Sequence, residues 1–237
     1  MPPQFILKKT SFMFEQQPQT LREKVQKLAN QSLAQSDPSA WFDILYAEAQ
    51  GDAEQVPWAK LTPHPVLESW LSDRPMSPQG RSALVTGCGL GDDAETLAAR
   101  GFDVTAFDIS PTAIAWCRQR FPDTSVNYCV GDFFNLDPAW RGRFDLVEDS
   151  RNIQALPLEV RSQVIEAIAA LVAPGGTLLI ITRHRDNDTA PEGPPWPLSD
   201  LDLAEFENWG LTEIERHEFF DQDNTIKQLR VEYRRSA

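Results

Sequence analysis

The sequence has little cysteine, little histidine and little positive charge, and each shortage excludes a class of function. Its 237 residues include three cysteines and three histidines, without metal-ligand or CxxC spacing, so neither a metal site nor a disulfide framework is expected. Lys and Arg number 22 against 35 for Asp and Glu, which gives a net charge of -13. Because such a charge repels a phosphate backbone, no nucleic-acid partner is expected.

Long hydrophobic runs are also missing. The longest aliphatic run, around Leu178–Ile181, is far too short to cross a bilayer, and the N-terminus has no apolar stretch typical of a signal peptide. No membrane partner is expected, and the unpaired cysteines favour the reducing cytoplasm. The hydrophobic share of 41% is sufficient for a folded core.

The chain is predicted to form one domain, residues 1–237, as a monomer or weak homo-oligomer. Residues 1–18 lack periodicity and are predicted to be a flexible arm. Residues 19–80 are predicted to be a helical cap and residues 81–237 a Rossmann-like core. The cap helices are predicted at Leu21–Ala34, at Trp41–Ala49 and in a short segment that ends near Leu71.

From Arg81 onward, short aliphatic strands alternate with helices, which predicts an α/β fold with a mostly parallel sheet covered on both faces. Two final alternating runs predict a closing antiparallel hairpin. The predicted strands are Ala83–Thr86, Asp103–Asp108, Val126–Val130, Phe144–Glu148, Thr177–Thr182, Leu211–Phe219 and Ile226–Tyr233. The predicted helices of this core are Asp93–Arg100, Pro111–Phe121 and Leu158–Val172.

A glycine-rich turn follows the first strand and opens a helix, so its backbone can approach a ligand closely. Asp108 ends the next strand, where a carboxylate can accept both hydroxyls of a ribose. After the third strand, Asp132 offers a carboxylate to an adenine amino group and Phe133 offers an aromatic face. These elements predict an adenosine-type site. The turn contains Gly87, Cys88, Gly89 and Gly91.

Two ligands compete for this predicted site. Asp92 and Asp93 follow the glycines, where the pyrophosphate of a nicotinamide cofactor would need neutral or positive surroundings. Acidic residues suit the positive sulfonium and ammonium groups of S-adenosylmethionine instead. The sequence therefore favours S-adenosylmethionine, with a nicotinamide-dependent oxidoreductase and a donor-binding sensor without turnover as alternatives.

The motifs together resemble the thiopurine S-methyltransferase and halide/thiol methyltransferase group of class I enzymes. The resemblance implies a Rossmann-like seven-stranded sheet, with S-adenosyl-L-methionine as donor and S-adenosyl-L-homocysteine as product. It also implies that Trp41 and Trp58 close the site from the cap. The motifs that carry it are Val85–Asp93, Phe107-Asp108-Ile109-Ser110, Gly131-Asp132-Phe133-Phe134, Pro174-Gly175-Gly176 and Gly193-Pro194-Pro195-Trp196. The donor-binding residues it implies are Gly87, Asp108, Asp132 and Phe133, and we add their neighbours Cys88, Gly89, Gly91 and Ile109 and the strand-four residues Asp149 and Ser150.

The predicted acceptor is a small soft nucleophile: a thiol, a halide, or a selenium or tellurium species. A thiol with a pKa of about 8.5 is partly ionised at neutral pH, so a dedicated base is not required. Asp149, Arg151 and Asn152 are the candidate catalytic residues, with His184 and Trp196 on the acceptor side. A small-molecule O- or N-methyltransferase is the alternative.

Each of these residues also has a purely structural interpretation. Asp108 could cap the helix that follows it, and Asp132 could stabilise a turn. Trp41 and Trp58 could be core anchors, and His184 could belong to a solvated charged cluster.

Overall fold

A computed structural model describes residues 19–35, 37–74, 78–186, 189–191, 193–221 and 223–237 of the chain. The predicted arm at residues 1–18 lies outside the described residues. The helices are α1 Gln19–Ala34, α2 Ala40–Ala49, α3 Pro65–Ser72, α4 Asp92–Ala99, α5 Pro111–Arg120, α6 Arg161–Leu171 and α7 Asp200–Asn208. The strands are β1 Ser82–Thr86, β2 Asp103–Asp108, β3 Asn127–Val130, β4 Phe144–Ser150, β5 Val172–Arg183, β6 Leu211–Phe220 and β7 Lys227–Arg235.

The seven strands form one sheet in the order β3-β2-β1-β4-β5-β7-β6. The first five strands are parallel, β7 is antiparallel to β5, and β6 is antiparallel to β7. The central strands read as continuous aliphatic runs because helices cover both faces: α3, α4 and α5 on one side, α6 and α7 on the other. The predicted fold class, including the closing hairpin and the helical cap, is confirmed.

Several predicted boundaries are wrong for identifiable reasons. Strand β5 begins at Val172, not Thr177, because Val172 pairs with Phe144 before the register shifts and pairing resumes at Thr177. This pairing places the predicted helix stop, Ala173–Gly176, inside the strand span. Strand β4 continues past Glu148 to Ser150, which pairs with Ile181.

Helix α7 was missing from the prediction. Its buried residues are only Leu203 and Phe206, while Leu201 is 68% exposed, so the apolar period is too short to recognise. A capping box starts the helix: Ser199 Oγ accepts from the Asp202 N–H, and the Asp202 carboxylate accepts from the Ser199 N–H at 2.7 Å.

The cap rests on the sheet through an aromatic cluster. Trp41 stacks on Phe42 with ring centroids 4.0 Å apart, and Trp58 meets both rings edge-on. Asp43 links α2 to the core, because its carboxylate accepts from Ser110 Oγ at 2.6 Å and from the Thr112 N–H at 3.1 Å. None of the helices in the described part of the chain is long and apolar enough to span a lipid bilayer.

Candidate active site

A cleft of about 450 Å³, counted with its open mouth, lies at the carboxyl ends of the parallel strands and faces α2 of the cap. This edge of an open α/β sheet is where ligands bind. Five residues that line the cleft belong to the predicted donor site: Gly87, Asp108, Ile109, Asp132 and Phe133. The other lining residues are Ser39, Phe42, Phe107, Gly131, Phe134, Asn152 and Leu156.

The turn after β1 requires glycine at two positions. Gly87 has φ +48°, and a Cβ there would collide with the side-chain amide of Asn152. Gly91 has φ +92°, and a Cβ there would collide with the hydroxyl of Tyr128. These contacts bring the backbone of the turn against β3 and the loop after β4, which leaves the cleft open on the ligand side.

Asp108 is buried at the end of β2, and backbone amides fix its carboxylate. One oxygen accepts from the Gly89 N–H and the other from the Ser110 N–H, both at 2.9 Å. Burial raises the pKa of Asp108 to about 6, against the lowering effect of these two amide bonds. The helix cap is Ser110, whose hydroxyl accepts from the Ala113 N–H. The carboxylate therefore orients the glycine turn and also lines the cleft.

Asp132 and Phe133 line the neighbouring wall. Asp132 Oδ1 accepts from the Phe134 N–H at 2.9 Å, so this residue does stabilise a turn. Its Oδ2 has no partner within the described residues and remains available as an acceptor. The Phe133 ring packs edge-on against Phe107 at 5.3 Å. This wall thus offers one carboxylate oxygen beside aromatic surface.

The tryptophans of the cap stand behind the cleft. Trp41 is 2% exposed, and its stacking partner Phe42 is the residue that reaches the cleft. Trp58 donates its indole N–H to the Tyr46 hydroxyl at 2.6 Å. Phe42 and Ser39 line the cleft but were not among the predicted site residues, because helical spacing alone does not determine which face of α2 turns toward the cleft.

Three neighbouring residues at the end of β4 define the floor beside the glycine turn. Asn152 donates from Nδ2 to the Thr86 carbonyl at 2.7 Å and to Asp149 Oδ2 at 3.2 Å. Thr86 Oγ1 also donates to Asp149 Oδ2, whereas Asp149 Oδ1 is buried with no partner in the described structure. Burial raises the pKa of Asp149 to about 6. An unpaired buried carboxylate oxygen is costly, and the charge of Asp149 lies directly behind Asn152, which lines the cleft.

Arg151 points away from Asn152, toward the cap and β7. Its backbone has φ +68°, and its guanidinium donates to Gln228 Oε1 at 2.7 Å. The Nε atom is buried without a partner, and Arg151 forms no ion pair with any described residue. Burial, then Arg183, lowers the pKa of Arg151 to about 10, so the guanidinium remains charged at neutral pH. The charge of Asp93 acts in the opposite direction and raises this pKa in part, although the two side chains form no ion pair.

His64 and Asp93 lie beside Arg151. Asp93 Oδ1 accepts from the His64 N–H at 2.6 Å, and His64 Nδ1 accepts from the Val66 N–H at 3.3 Å. Burial, followed by the charge of Arg151, lowers the pKa of His64 to about 3. The imidazole is therefore neutral with its proton on Nε2, which makes it a hydrogen-bond donor rather than a base.

The two predicted acceptor-side residues lie in the segment after β5. His184 is 8% exposed, and its Nε2 is 3.2 Å from Oδ1 of Asp200, an exposed residue, so its ring is held against the surface of the protein. The Trp196 N–H donates to the Gln154 carbonyl at 2.7 Å, which places this segment against the loop after β4. Neither residue lines the cleft described above. Within the described residues, no group of three His, Cys, Asp or Glu side chains is arranged to hold a metal ion.

The sheet order, the antiparallel last pair and the carboxylate at the end of β2 define a Rossmann-like protein with the fold of class I methyltransferases. The family model of thiopurine S-methyltransferase matches residues 48–236. The chain belongs to the thiopurine S-methyltransferase family. The family resemblance recognised in the sequence is confirmed.

Relatives with curated names include two kinds of methyltransferase. A ubiquinone biosynthesis O-methyltransferase of Xanthomonas axonopodis pv. citri (strain 306) is 32% identical over 147 residues, 61% of this chain and 56% of that protein. A thiopurine S-methyltransferase of Vibrio atlanticus (strain LGP32) is 26% identical over 52% of this chain and 62% of its own length. The chain thus spans little more than half the length of the curated relatives it matches.

Solved structures show the same fold. The N-methyltransferase NodS of Bradyrhizobium japonicum WM9, in complex with S-adenosyl-L-homocysteine, superposes with a TM-score of 0.64 and 21% identity. The match covers 82% of this chain and 100% of NodS. At this identity the similarity establishes the fold alone.

Proposed function

We propose that the chain is an S-adenosylmethionine-dependent methyltransferase whose acceptor is a small soft nucleophile, in the first place a thiol. The observation that carries this proposal is the composition of one edge of the sheet. The cleft beside Asp108 offers carboxylate oxygens and aromatic surface for an adenosine, and Arg151, in the loop after β4 next to the cleft residue Asn152, supplies a positive charge for an acceptor.

The residues present fit the donor. Asp108 would accept the ribose hydroxyls, while Asp132 Oδ2 and the ring of Phe133 would hold the adenine. Gly87 and Asn152 line the other end of the cleft, and the unpaired Asp149 Oδ1 lies next to Asn152. The negative charge of Asp149 behind Asn152 would favour the positive α-ammonium of the donor at this end of the cleft. The donor, when bound, supplies a methyl group on a positively charged sulfur.

The chain's own residues would align the reactants and exclude water. Arg151 and the Nε2–H of His64 both donate, so they would hold an electron-rich acceptor without removing its proton. A thiol would reach the site partly ionised, with its proton released to solvent. Its sulfur would then form a bond to the methyl carbon of the donor as the bond from that carbon to the sulfonium sulfur breaks, which gives a thioether and S-adenosyl-L-homocysteine. Soft nucleophiles are therefore the acceptors that this arrangement favours.

The first experiment is isothermal calorimetry of the full chain with S-adenosyl-L-homocysteine, with NAD as the parallel ligand. We expect micromolar or tighter binding of S-adenosyl-L-homocysteine and no binding of NAD. A panel of thiols, halides, phenols and amines then identifies the acceptor by methylated product. Binding of NAD alone, or of neither ligand, would contradict the proposal.

The assignment of Arg151 to the acceptor side has its own test. Replacing Arg151 with Gln keeps a donor toward Gln228 but removes the charge. We expect kcat/KM for the acceptor to fall by roughly 10²-fold with little change in S-adenosyl-L-homocysteine affinity, because a buried hydrogen bond to charge is worth about 1.5–3 kcal/mol. If donor affinity fell instead, Arg151 would belong to the donor site.

Transfer to oxygen is the second candidate. The observation in its favour is the 32% identity to a ubiquinone biosynthesis O-methyltransferase, which exceeds the 26% identity to the thiopurine S-methyltransferase of Vibrio atlanticus. A phenol needs removal of a proton with a pKa near 10, and neutral His64 does not supply a base for it. Turnover of phenols but not thiols in the panel would select this candidate.

A further inference from the structure

The peptide groups of Trp196 are held from both sides by buried polar residues. Its N–H donates to the Gln154 carbonyl at 2.7 Å, and its carbonyl accepts from Arg161 Nη2 at 2.6 Å. Arg161 is the first residue of α6 and is 2% exposed. It also forms an ion pair with Asp202 at 2.9 Å, which compensates its burial.

Gln154 connects this anchor to the active site. Its side-chain oxygen accepts from the Arg183 N–H at 2.6 Å and from Thr182 Oγ1 at 3.1 Å, so it ties the end of β5 to the loop after β4. In that loop Gln154 lies midway between Asn152 and Leu156, which both line the donor cleft. The position of Trp196 is therefore fixed relative to the cleft.

The cap closes on the same segment. The Gly193 carbonyl accepts from Gln26 of α1 at 2.9 Å, and the ring of Trp196 lies where a Cβ on Gly193 would be. The segment from Gly193 to Trp196 thus lies between α1 and the loop that carries Arg151 and Asn152. This segment therefore packs on the loop that carries Arg151, the residue proposed for the acceptor side.

We propose that Arg161 is a positioning residue for methyl transfer, which holds Trp196 as a wall of the acceptor compartment and so sets acceptor affinity. The proposal rests on the proposed function, and Arg161 itself touches neither reactant. The planar guanidinium reaches the Trp196 carbonyl and Asp202 together, which a lysine ammonium on its flexible stem does less well. A merely structural Arg161 would affect stability without affecting acceptor affinity.

The test compares wild type, Arg161→Lys and Arg161→Gln in the full chain, with thiophenol as acceptor. We expect KM for thiophenol to rise about tenfold in the Gln variant and less in the Lys variant, while S-adenosyl-L-homocysteine affinity stays within about twofold. Amide exchange at Trp196 and Leu198 should become faster in both variants. A lower melting temperature with unchanged KM, or equal losses of donor and acceptor affinity, would overturn the proposal.

Arg235→Gln is the matched control. Arg235 donates to the Ala169 carbonyl at the other end of α6, at the same 2.6 Å, so its loss should lower stability but leave KM for thiophenol unchanged. A rise in KM equal to that of Arg161→Gln would overturn the proposal. If wild type bound no S-adenosyl-L-homocysteine, the proposed function would fail; amide exchange would then decide the anchoring alone, and unchanged exchange in the Arg161 variants would reject it.

Discussion

Asp108 performs two tasks with one carboxylate. Each oxygen accepts one backbone N–H, from Gly89 and from Ser110, and these bonds set the shape of the glycine turn. A carboxylate oxygen has more than one acceptor direction, so both oxygens can also accept from a ligand. Burial raises the pKa of Asp108 to about 6, so the carboxylate is mostly charged at neutral pH but becomes protonated after a small decrease in pH. Donor binding should therefore depend on pH.

We expect the affinity of wild type for S-adenosyl-L-homocysteine to fall as pH decreases from about 7 to about 5, because protonation of Asp108 removes an acceptor. Asp108→Asn should bind at least about tenfold more weakly at pH 7, the cost of about one charged hydrogen bond. Calorimetry across this pH range measures both effects.

The remaining pH dependence of Asp108→Asn should report Asp149, whose pKa is also raised to about 6 by burial. Asp103→Asn is the control, since this exposed residue lies at the far end of the same strand. Equal affinities of wild type and Asp108→Asn would remove Asp108 from the donor site.

At the scale of elements, the features that are best predicted from the sequence are those that neighbouring residues determine. The turn from Gly87 to Gly91 is recognisable because it follows an aliphatic strand, and its glycines are required by positive φ. The strand ends at Val172 and Ser150 depend on pairing with distant strands, and the helix at residues 200–208 depends on two buried residues. Contacts between segments that are far apart in the sequence leave no signal in its hydrophobic periodicity.

The face that a helix turns to a cleft is likewise a long-range property. Trp41 of α2 was predicted to contact the donor, but Phe42 and the N-cap residue Ser39 line the cleft. The bonds of Asp43 to the N-terminus of α5 fix the rotation of α2 and so determine which residues face the cleft. The donor side could thus be predicted as a set of loops, while the cap's contribution required the packed structure. Arg151 was predicted as a candidate catalytic residue, whereas His64, which comes from the cap, was not, because only the folded chain brings the two together.

Asp43→Ala should release α2 from the N-terminus of α5. Two hydrogen bonds are lost, so we expect a decrease of about 1–2 kcal/mol in the free energy of unfolding. Affinity for S-adenosyl-L-homocysteine should fall several-fold because Phe42 loses its fixed position. Denaturant unfolding and calorimetry measure the two effects.

Glu48→Ala is the control for the loss of an α2 carboxylate, because Glu48 makes only a surface ion pair with Lys24. If Asp43→Ala lost stability but kept full donor affinity, the aromatic packing around Trp41 alone would determine where Phe42 lies.

At the scale of the whole molecule, an acidic chain buries several of its acids at one edge of the sheet. Burial raises the pKa values of Asp93, Asp108 and Asp149 to about 6, and that of Glu148 well above its usual range. An acid whose pKa is higher in the folded state contributes stability at low pH, which is lost as pH rises through the folded pKa. Without a ligand, these buried acids therefore lower the free energy of unfolding at neutral pH. Such a cost is typical of a functional site that binds a charged ligand.

Glu148 is the extreme case, and no role in the proposed reaction accounts for it. It is fully buried on β4, beside Val85 and Leu179 in the sheet, and neither carboxylate oxygen has a partner in the described structure. Removing such a group without leaving a cavity should stabilise the protein, so we expect Glu148→Met to raise the free energy of unfolding by about 1–3 kcal/mol at pH 8.

The gain from Glu148→Met should shrink as pH falls toward about 4.5. At that pH the wild-type carboxyl becomes protonated in the unfolded state as well, so folding no longer has to neutralise it. Urea unfolding at several pH values measures this slope, with Glu166→Met, at an exposed position of α6, as the control. A destabilised Glu148→Met at pH 8 would mean that the carboxyl has a partner, such as a bound water or the acceptor itself, that the packing around it does not reveal.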